Sequence, residues 1–306
     1  MTAQRRLRRS ELATPGTSIK MMTKAASLGA DLVFLDLEDA VAPSHKLEAR
    51  RNIIKALNEL DWGSTTRAVR VNEVGSKWCH EEVIDLVTEA GTNIDVLIIP
   101  KVKSPRDIWF VDTLLSELEA KLELPNRIGL EVLIEEVEAV ARVDEIAACC
   151  DRLEALILGV GDLAASQGVR LGHIGESGSY PGDIWHYSRT RLVVAARAAG
   201  LEAIDGPFSN FGDPDGYRKE ASWASSLGCS GKWAIHPSQI AIANEVFSPT
   251  EEEVARANAV IDAVREAEAA GAGAARLGGF MIDAATARVF QVTLDRQAQI
   301  DAKDAR

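Results

Sequence analysis

The sequence predicts an α/β protein built as a (β/α)8 TIM barrel with a C-terminal helical lid extension. Three observations carry this. Short β-rich apolar runs recur eight times, with helical patterns between them. The runs are continuously apolar rather than alternating, as expected of strands buried on both faces in a parallel sheet wrapped by helices. Eight such units occupy about 240 residues, the usual length of a closed barrel of this kind. An open doubly wound sheet is the competing arrangement, but no Gly-rich dinucleotide fingerprint follows the first strand.

The first strand is placed at RLRRSEL (6–12), followed by ATPG (13–16), a turn close to a helix start. ADLVFLD (30–36), TRAVRVN (66–72), DVLIIPK (95–101) and RIGLEVLI (127–134) come next, rich in the residues that suit strands. LEALILGV (153–160), LEAID (201–205) and CSGKWAI (229–235) complete the set. Helices are expected at 44–60, 77–90, 105–122, 136–148, 184–199 and 213–227, supplying the crossovers that parallel strands need. The barrel is assigned residues 1–248 and the extension residues 249–306. The extension opens with a Glu/Ala-rich helix over 250–270, capped by Ser248 or Thr250. GAGAARLGGF (271–280) reads as a flexible glycine hinge before MIDAATARVF and a final helix. A segment leaving a barrel this way is expected to pack on a neighbour or close over a site.

With 306 residues, 46% of them hydrophobic, the chain can bury a large core. A formal charge of −12 argues against nucleic acid or anionic lipid as partner. The basic start RRLRR (5–9) is the exception, either a solvated segment or local help in holding a polyanion. No apolar run approaches the ~20 residues of a membrane span, and no secretory h-region follows the early arginines. Cys79, Cys149, Cys150 and Cys229 include an adjacent pair, which seldom bonds, and no CxxC. They read as reduced thiols in a cytoplasmic protein, with no zinc site.

The chemistry is expected at the C-terminal strand ends, where barrels of this type carry their sites. Glu135, in IGLEVLIE, and Asp162, in LILGVGDLAAS, lie 27 residues apart with one predicted helix between them. That spacing returns the second acid to the same edge of the sheet, where two carboxylates repel unless a proton or metal ion relieves them. Strand two ends in Asp36, Glu38 and Asp39, strand three carries Arg70 and Asn72, and strand four ends at Lys101. By strand alternation Glu131 shares a side with Glu135, roughly 13 Å deeper, as a buried partner for some cation. By the same parity Asp36 pairs with Glu38, and Arg70 with Asn72.

Each residue also has a plainer reading. Glu135 and Glu136 suit a first helical turn, favoured by the dipole, and Asp162 suits a helix cap. Arg70 suits a structural partner of Asp36 or Glu131, the Asp36–Asp39 acids suit caps for the helix near 44, and Lys101 suits a solvated strand end. Five successive strands ending in polar groups favour a shared site, because packing alone does not cluster such residues on one rim. This rim suits carbon–carbon cleavage or formation on a metal-held oxoacid. A Mg²⁺ on two carboxylates keeps positions open for substrate. A buried Arg offers fixed positive charge to a developing enolate, and an Asp on a lid carries a proton while excluding water.

At these residues the sequence resembles the HpcH/HpaI aldolase–citrate lyase β-subunit superfamily, and within it the malyl-CoA lyase branch. The resemblance runs through RSELATPG (9–16), FLDLEDAVAP (34–43), VRVN (69–72), IIPKV (98–102), GLEVLIE (129–135) and GVGDLAAS (159–166). It continues through AIDGPFSNFGDPDGY (203–217), GKWAIHPSQIAIANEVFSPT (231–250) and MID (281–283), nearly the whole chain. It implies Mg²⁺ (Mn²⁺ as a substitute) on Glu135 and Asp162, with Arg70 on the substrate oxygens. Asp36, Glu38 and Asp39 then support Arg70 and metal-bound water, and Lys24, assisted by Lys20, lies near the CoA phosphates. Asp283 matches a lid aspartate that reaches a neighbouring subunit in a trimer or hexamer. The implied activity reversibly cleaves malyl-CoA or β-methylmalyl-CoA, as CoA thioester substrate, into acetyl-CoA or propionyl-CoA and glyoxylate; a (3S)-malyl-CoA thioesterase, a citramalyl-CoA lyase or a non-catalytic CoA-ester-binding subunit are the alternatives. Two departures stand out: the segment between Asp162 and Asp183 is shorter than in that branch, and position 18 is Ser where some relatives place Arg near CoA. His236 reads as a buried structural histidine.

Overall fold

A computed structural model describes residues 6–170 and 182–305. The chain forms two compact units, Met1–Glu245 and Val246–Arg306. In the first, eight strands pair in parallel and in chain order until the eighth closes on the first. They are β1 (Ser10–Pro15), β2 (Leu32–Asp36), β3 (Thr66–Arg70), β4 (Val96–Ile99), β5 (Gly129–Ile134), β6 (Leu153–Leu158), β7 (Glu202–Asp205) and β8 (Gly231–Ala234). Around them run α1 (Ile19–Ala25), α2 (Lys46–Glu59), α3 (Cys79–Ala90), α4 (Pro105–Leu122), α5 (Val137–Ala141) and α6 (Val143–Ala147). α7 (Val160–Gln167), α8 (His186–Ala198), α9 (Pro214–Leu227) and α10 (Ser238–Val246) follow. β2 and β4 to β8 are buried along their whole length, which is why their sequences lack alternation. The interior is filled by Leu32, Phe34, Ala68, Ile98, Leu133 and Trp233 among others, a packed core rather than a pore.

Three sequence expectations are corrected. β1 begins at Ser10 and runs to Pro15, so Ala13–Pro15 of the ATPG segment are strand and the turn before α1 starts only at Gly16; pairing of Glu11–Pro15 with Leu32–Asp36 sets that register. The 136–148 helix is two short helices, because Arg142 (φ −115°, ψ 19°) leaves the helical range. The GAGAARLGGF segment is not a loose hinge. In the second unit α11 (Glu251–Ala269) leads into a hairpin of β9 (Ala274–Leu277) and β10 (Phe280–Asp283), then α12 (Ala284–Asp304). Gly278 and Gly279 form its two-residue turn at φ 57° and 85°, the left-handed geometry that such hairpins require. Val260, Val264 and Ile282 make that unit's core, and Thr250 caps α11 in a capping box with Glu253.

Arg6, Arg8 and Arg9 of the basic start are neither solvated nor free for a polyanion; Arg5 lies outside the described residues. Arg8 is buried, with Nε donating to Glu131 Oε1 at 2.6 Å and NH2 to Glu154 Oε2 at 2.5 Å. Arg6 pairs with Glu154 and Asp95, and Arg9 with Asp31. Gly231 must be glycine here, since a Cβ would lie 1.7 Å from the Arg8 carbonyl oxygen. Arg8 is thus the cation anticipated for Glu131. Arg8→Met is expected to destabilise the fold by about 3–5 kcal/mol, since it strands Glu131 in the interior and leaves Glu154 with Arg6 alone; denaturant melts measure this, and a loss below about 1 kcal/mol contradicts it.

Cys79, Cys149, Cys150 and Cys229 are free thiols. Among the described residues, no helix is long and apolar enough to cross a membrane.

Candidate active site

β2 ends at Asp36, and the chain then turns back on that residue's own carboxylate. Asp36 Oδ1 accepts from Glu38 N at 2.9 Å and Oδ2 from Ala40 N at 3.0 Å. The turn aims Glu38 at Arg70, the last residue of β3. Arg70 Nε and NH2 each bond Asp36 at 2.7 Å, and NH1 lies 2.9 Å from Glu38 Oε2. Behind the guanidinium lie Phe34 and Trp233, at 5.8 and 5.5 Å from their ring centres. Burial would raise the Asp36 carboxyl, yet Arg70 outweighs it and holds Asp36 below its usual value. Burial would likewise weaken the Arg70 cation, but Asp36, then Glu38 and Glu135, hold its pKa above the usual range. Glu38, buried beside Asp39, stays raised despite Arg70 and Lys101.

Glu135 follows the end of β5 and is buried. Its Oε1 accepts the Lys101 backbone N–H at 2.7 Å. Lys101 presents that N–H in a left-handed conformation (φ 51°), uncommon for a residue with a side chain. Asp162 lies in the first turn of α7, behind the N-cap Gly159 rather than as the cap itself. Gly159 leaves the room this needs: a Cβ there would sit 2.4 Å from Glu135 Oε2. Burial first, and then the charge of Asp162, push Glu135 up to about 8. Asp162 is raised as well, by partial burial. Lys101 Nζ bonds Glu38, lies 3.3 Å from Asp39 and 4.0 Å from Asp162, and so is no solvated strand end.

These groups face one cavity of about 430 Å³, lined by Asp36, Asp39, Arg70, Glu135 and Asp162 on its charged side. Two hard carboxylate donors, one of which raises the other's proton affinity, fit a Mg²⁺-class ion. Among the described residues no group of three or more ligating side chains is assembled. An ion held by two carboxylates alone would leave most of its positions for water or substrate oxygen.

Other expected residues lie elsewhere. Asn72 does not share the Arg70 side: β3 ends at Arg70, and Asn72 Nδ2 turns to Leu37 O and Glu82. Lys20 and Lys24 are exposed on α1, where Met21 rather than either lysine lines the cavity. Ser18 caps α1. His236 is exposed, not buried, bonding Ser238 and stacking on Phe211 at 4.9 Å. Asp283 belongs to the second unit, capping α12 by accepting from Thr286 N at 2.9 Å, a bond that lowers its pKa. Residues 171–181, most of the shortened segment, lie outside the described residues.

Three contributors escaped the sequence reading: the Lys101 backbone N–H, the space at Gly159, and Lys46. Lys46 Nζ holds the acidic turn from behind, through Leu37 O, Glu38 O and Asn72 Oδ1 at 2.7–2.8 Å. Only GVG before Asp162 carried a legible signal, two glycines beside a strand end.

Barrel and rim together define the class: an enzyme with its site at the C-terminal mouth of a (β/α)8 barrel. The family model HpcH/HpaI aldolase/citrate lyase matches residues 9–237, and the chain belongs to that family. It is 40% identical to the L-malyl-CoA/beta-methylmalyl-CoA lyase of Rhodobacter capsulatus, over 97% of this chain and 96% of that one. It is 36% identical to a (3S)-malyl-CoA thioesterase of Cereibacter sphaeroides, over 90% and 89% of the two chains. Among solved structures it resembles CitE from Mycobacterium tuberculosis, in complex with magnesium, acetoacetate and coenzyme A. That similarity has a TM-score of 0.74 at 28% identity, over 94% of this chain and 97% of that one.

Proposed function

We propose that this protein is a Mg²⁺-dependent carbon–carbon lyase that reversibly cleaves malyl-CoA or β-methylmalyl-CoA into acetyl-CoA or propionyl-CoA and glyoxylate. The convergence of Arg70, Glu135 and Asp162 on one cavity carries this reading, together with 40% identity over nearly the full length of a malyl-CoA lyase. Glu135 and Asp162 would hold the ion, which when bound polarises the carboxylate and hydroxyl (or aldehyde) oxygens of the substrate. Arg70, fixed by Asp36 and Glu38, faces the thioester oxygen where enolate charge develops. Lys101 N–H keeps Glu135 aimed at its place. Lys20 and Lys24, one turn apart on the helix that sends Met21 to the cavity, suit the phosphates of CoA.

Asp283 would remove the α-proton of the acyl-CoA in condensation, reaching the site of a neighbouring subunit in a trimer or hexamer. Its low pKa leaves it ionised at neutral pH, as a proton acceptor must be. Asp283→Asn separates this from capping, since Asn caps a helix as well as Asp. Melting is expected to stay unchanged while condensation falls at least about 10²-fold; undiminished condensation contradicts the role. The free thiols suit work in the cytoplasm.

The test pairs acetyl-CoA or propionyl-CoA with glyoxylate or pyruvate, with and without EDTA, and follows thioester products. Glyoxylate-dependent, EDTA-sensitive product is expected. Similarity to a malyl-CoA thioesterase favours hydrolysis as the second reading; free malate released from malyl-CoA without glyoxylate would establish it instead.

A further inference from the structure

The cavity has two unlike halves. Its charged lining comes from the ends of β2, β3, β5 and β6, while β7, β8 and β1 contribute Pro207, Ser209, Trp233, Ile235 and Ala13. The carboxylate and hydroxyl of a substrate belong to the first half. The alkyl part of a thioester finds apolar cover in the second.

That second half is pinned from outside the barrel. Ile204 and Trp233 belong to the interior cluster, so strand alternation turns Asp205 and Lys232 outward, beneath the helices. There the fully buried Lys232 ammonium donates to Asp205 Oδ2 at 2.6 Å, Gly206 O at 2.7 Å and Glu220 Oε1 at 2.5 Å. All three of its donors are used. Asp205 also accepts from Arg189 Nε at 2.8 Å. Apolar side chains often pack at no loss where a whole buried ion group is replaced; losing Lys232 alone leaves Asp205 with Arg189, takes from Glu220 its bonded cation, and removes the bond to the Gly206 carbonyl. Gly206 is wedged against β6, where a Cβ would lie 2.1 Å from Leu158 O. A second pin follows two residues on: Gln239 Nε2 donates to Phe208 O at 3.0 Å, and Gln239 Oε1 accepts from Ile235 N at 2.8 Å. Pro207 lines the cavity between the two pins.

We infer that Lys232, with Gln239, is a positioning residue that fixes the Gly206–Phe208 wall and so sets the acyl-chain preference of the site. This rests on the acyl-CoA lyase reading. The test compares Lys232→Met and Gln239→Leu with the parent protein in condensation with glyoxylate. Both are expected to raise the KM for the preferred acyl-CoA about tenfold and to move the acetyl-CoA to propionyl-CoA ratio of kcat/KM toward one. KM for glyoxylate and the Mg²⁺ dependence should stay within about twofold, because the charged half is untouched. Folded variants that keep the parent's acyl-CoA KM and ratio overturn the inference, as do variants whose glyoxylate KM and Mg²⁺ dependence shift in step. Should Lys232→Met not fold, Gln239→Leu decides by the same criteria. If the parent turns over no acyl-CoA with glyoxylate, the lyase reading fails, and calorimetric titration with acetyl-CoA and propionyl-CoA reads the preference of the wall directly. Binding preferences that converge in the variants support it; preferences that persist, or a parent that binds neither thioester, overturn it.

Discussion

Glu135→Gln is expected to lower metal-dependent turnover roughly a thousandfold, equivalent to about 4 kcal/mol of transition-state stabilisation, while leaving the barrel folded. The amide keeps the shape and still accepts the Lys101 N–H, so only the anionic charge is lost. The carboxyl's pKa makes the test sharper. With Glu135 pushed up to about 8 by burial and Asp162, a proton competes with the cation below that pH. Apparent Mg²⁺ affinity should therefore strengthen by up to about tenfold per pH unit from 6 toward 8, with proton release on binding. The stability sign follows from linkage. Between the usual value of 4.5 and about 8 the metal-free fold holds a proton that the unfolded chain does not. Metal-free stability accordingly falls as pH rises through that window, and Mg²⁺ restores it. In Glu135→Gln this fall should vanish, so that at pH 8 without metal the variant melts above the parent. Retained Mg²⁺-dependent turnover, or an Mg²⁺ affinity flat from pH 6 to 8, would refute the ligand assignment.

Arg70→Lys is expected to cut kcat about 10²–10³-fold with the charge preserved. The guanidinium bonds both oxygens of Asp36 and one of Glu38 while facing the cavity. An ammonium is a point charge that cannot hold this fork, and either its acidic partners or the substrate loses contact. Arg70→Ala adds a stability loss of about 3–5 kcal/mol, because Asp36 remains buried without its cation and Glu38 is left with Lys101 alone. Kinetics on the Lys variant and melts on the Ala variant separate the two roles. Full turnover in Arg70→Lys would reduce Arg70 to scaffolding.

The eightfold strand–helix rhythm was readable because burial on both faces leaves an unbroken apolar run, a signal that survives in one dimension. So was the placing of Glu135 above Glu131: Leu133, between them, belongs both to the interior cluster and to the cavity lining that includes Glu135, although Glu135 itself lies one residue past the end of β5. The same rule failed at Asn72, two residues later in its run than Arg70. Once β3 ends, the chain no longer alternates, and Lys46, Glu82 and the Leu37 carbonyl claim the amide. RRLRR was misjudged for a related reason: its acids, Asp31, Asp95, Glu131 and Glu154, are 22 to 148 residues away. The hairpin at Gly278–Gly279 was missed although its two-residue Gly-Gly turn is a local signal.

Composition and period thus sufficed for the architecture, for the end of the barrel where chemistry collects, and for the identity of its acids. Closure of the sheet did the rest. It set counter-charges beside the buried Asp36, Glu131 and Asp205, turned Lys101 so that its backbone holds Glu135, and stationed Lys232 behind the cavity wall. Those outcomes depend on desolvation and on contacts between distant segments, and neither quantity exists until strands far apart in the chain become neighbours.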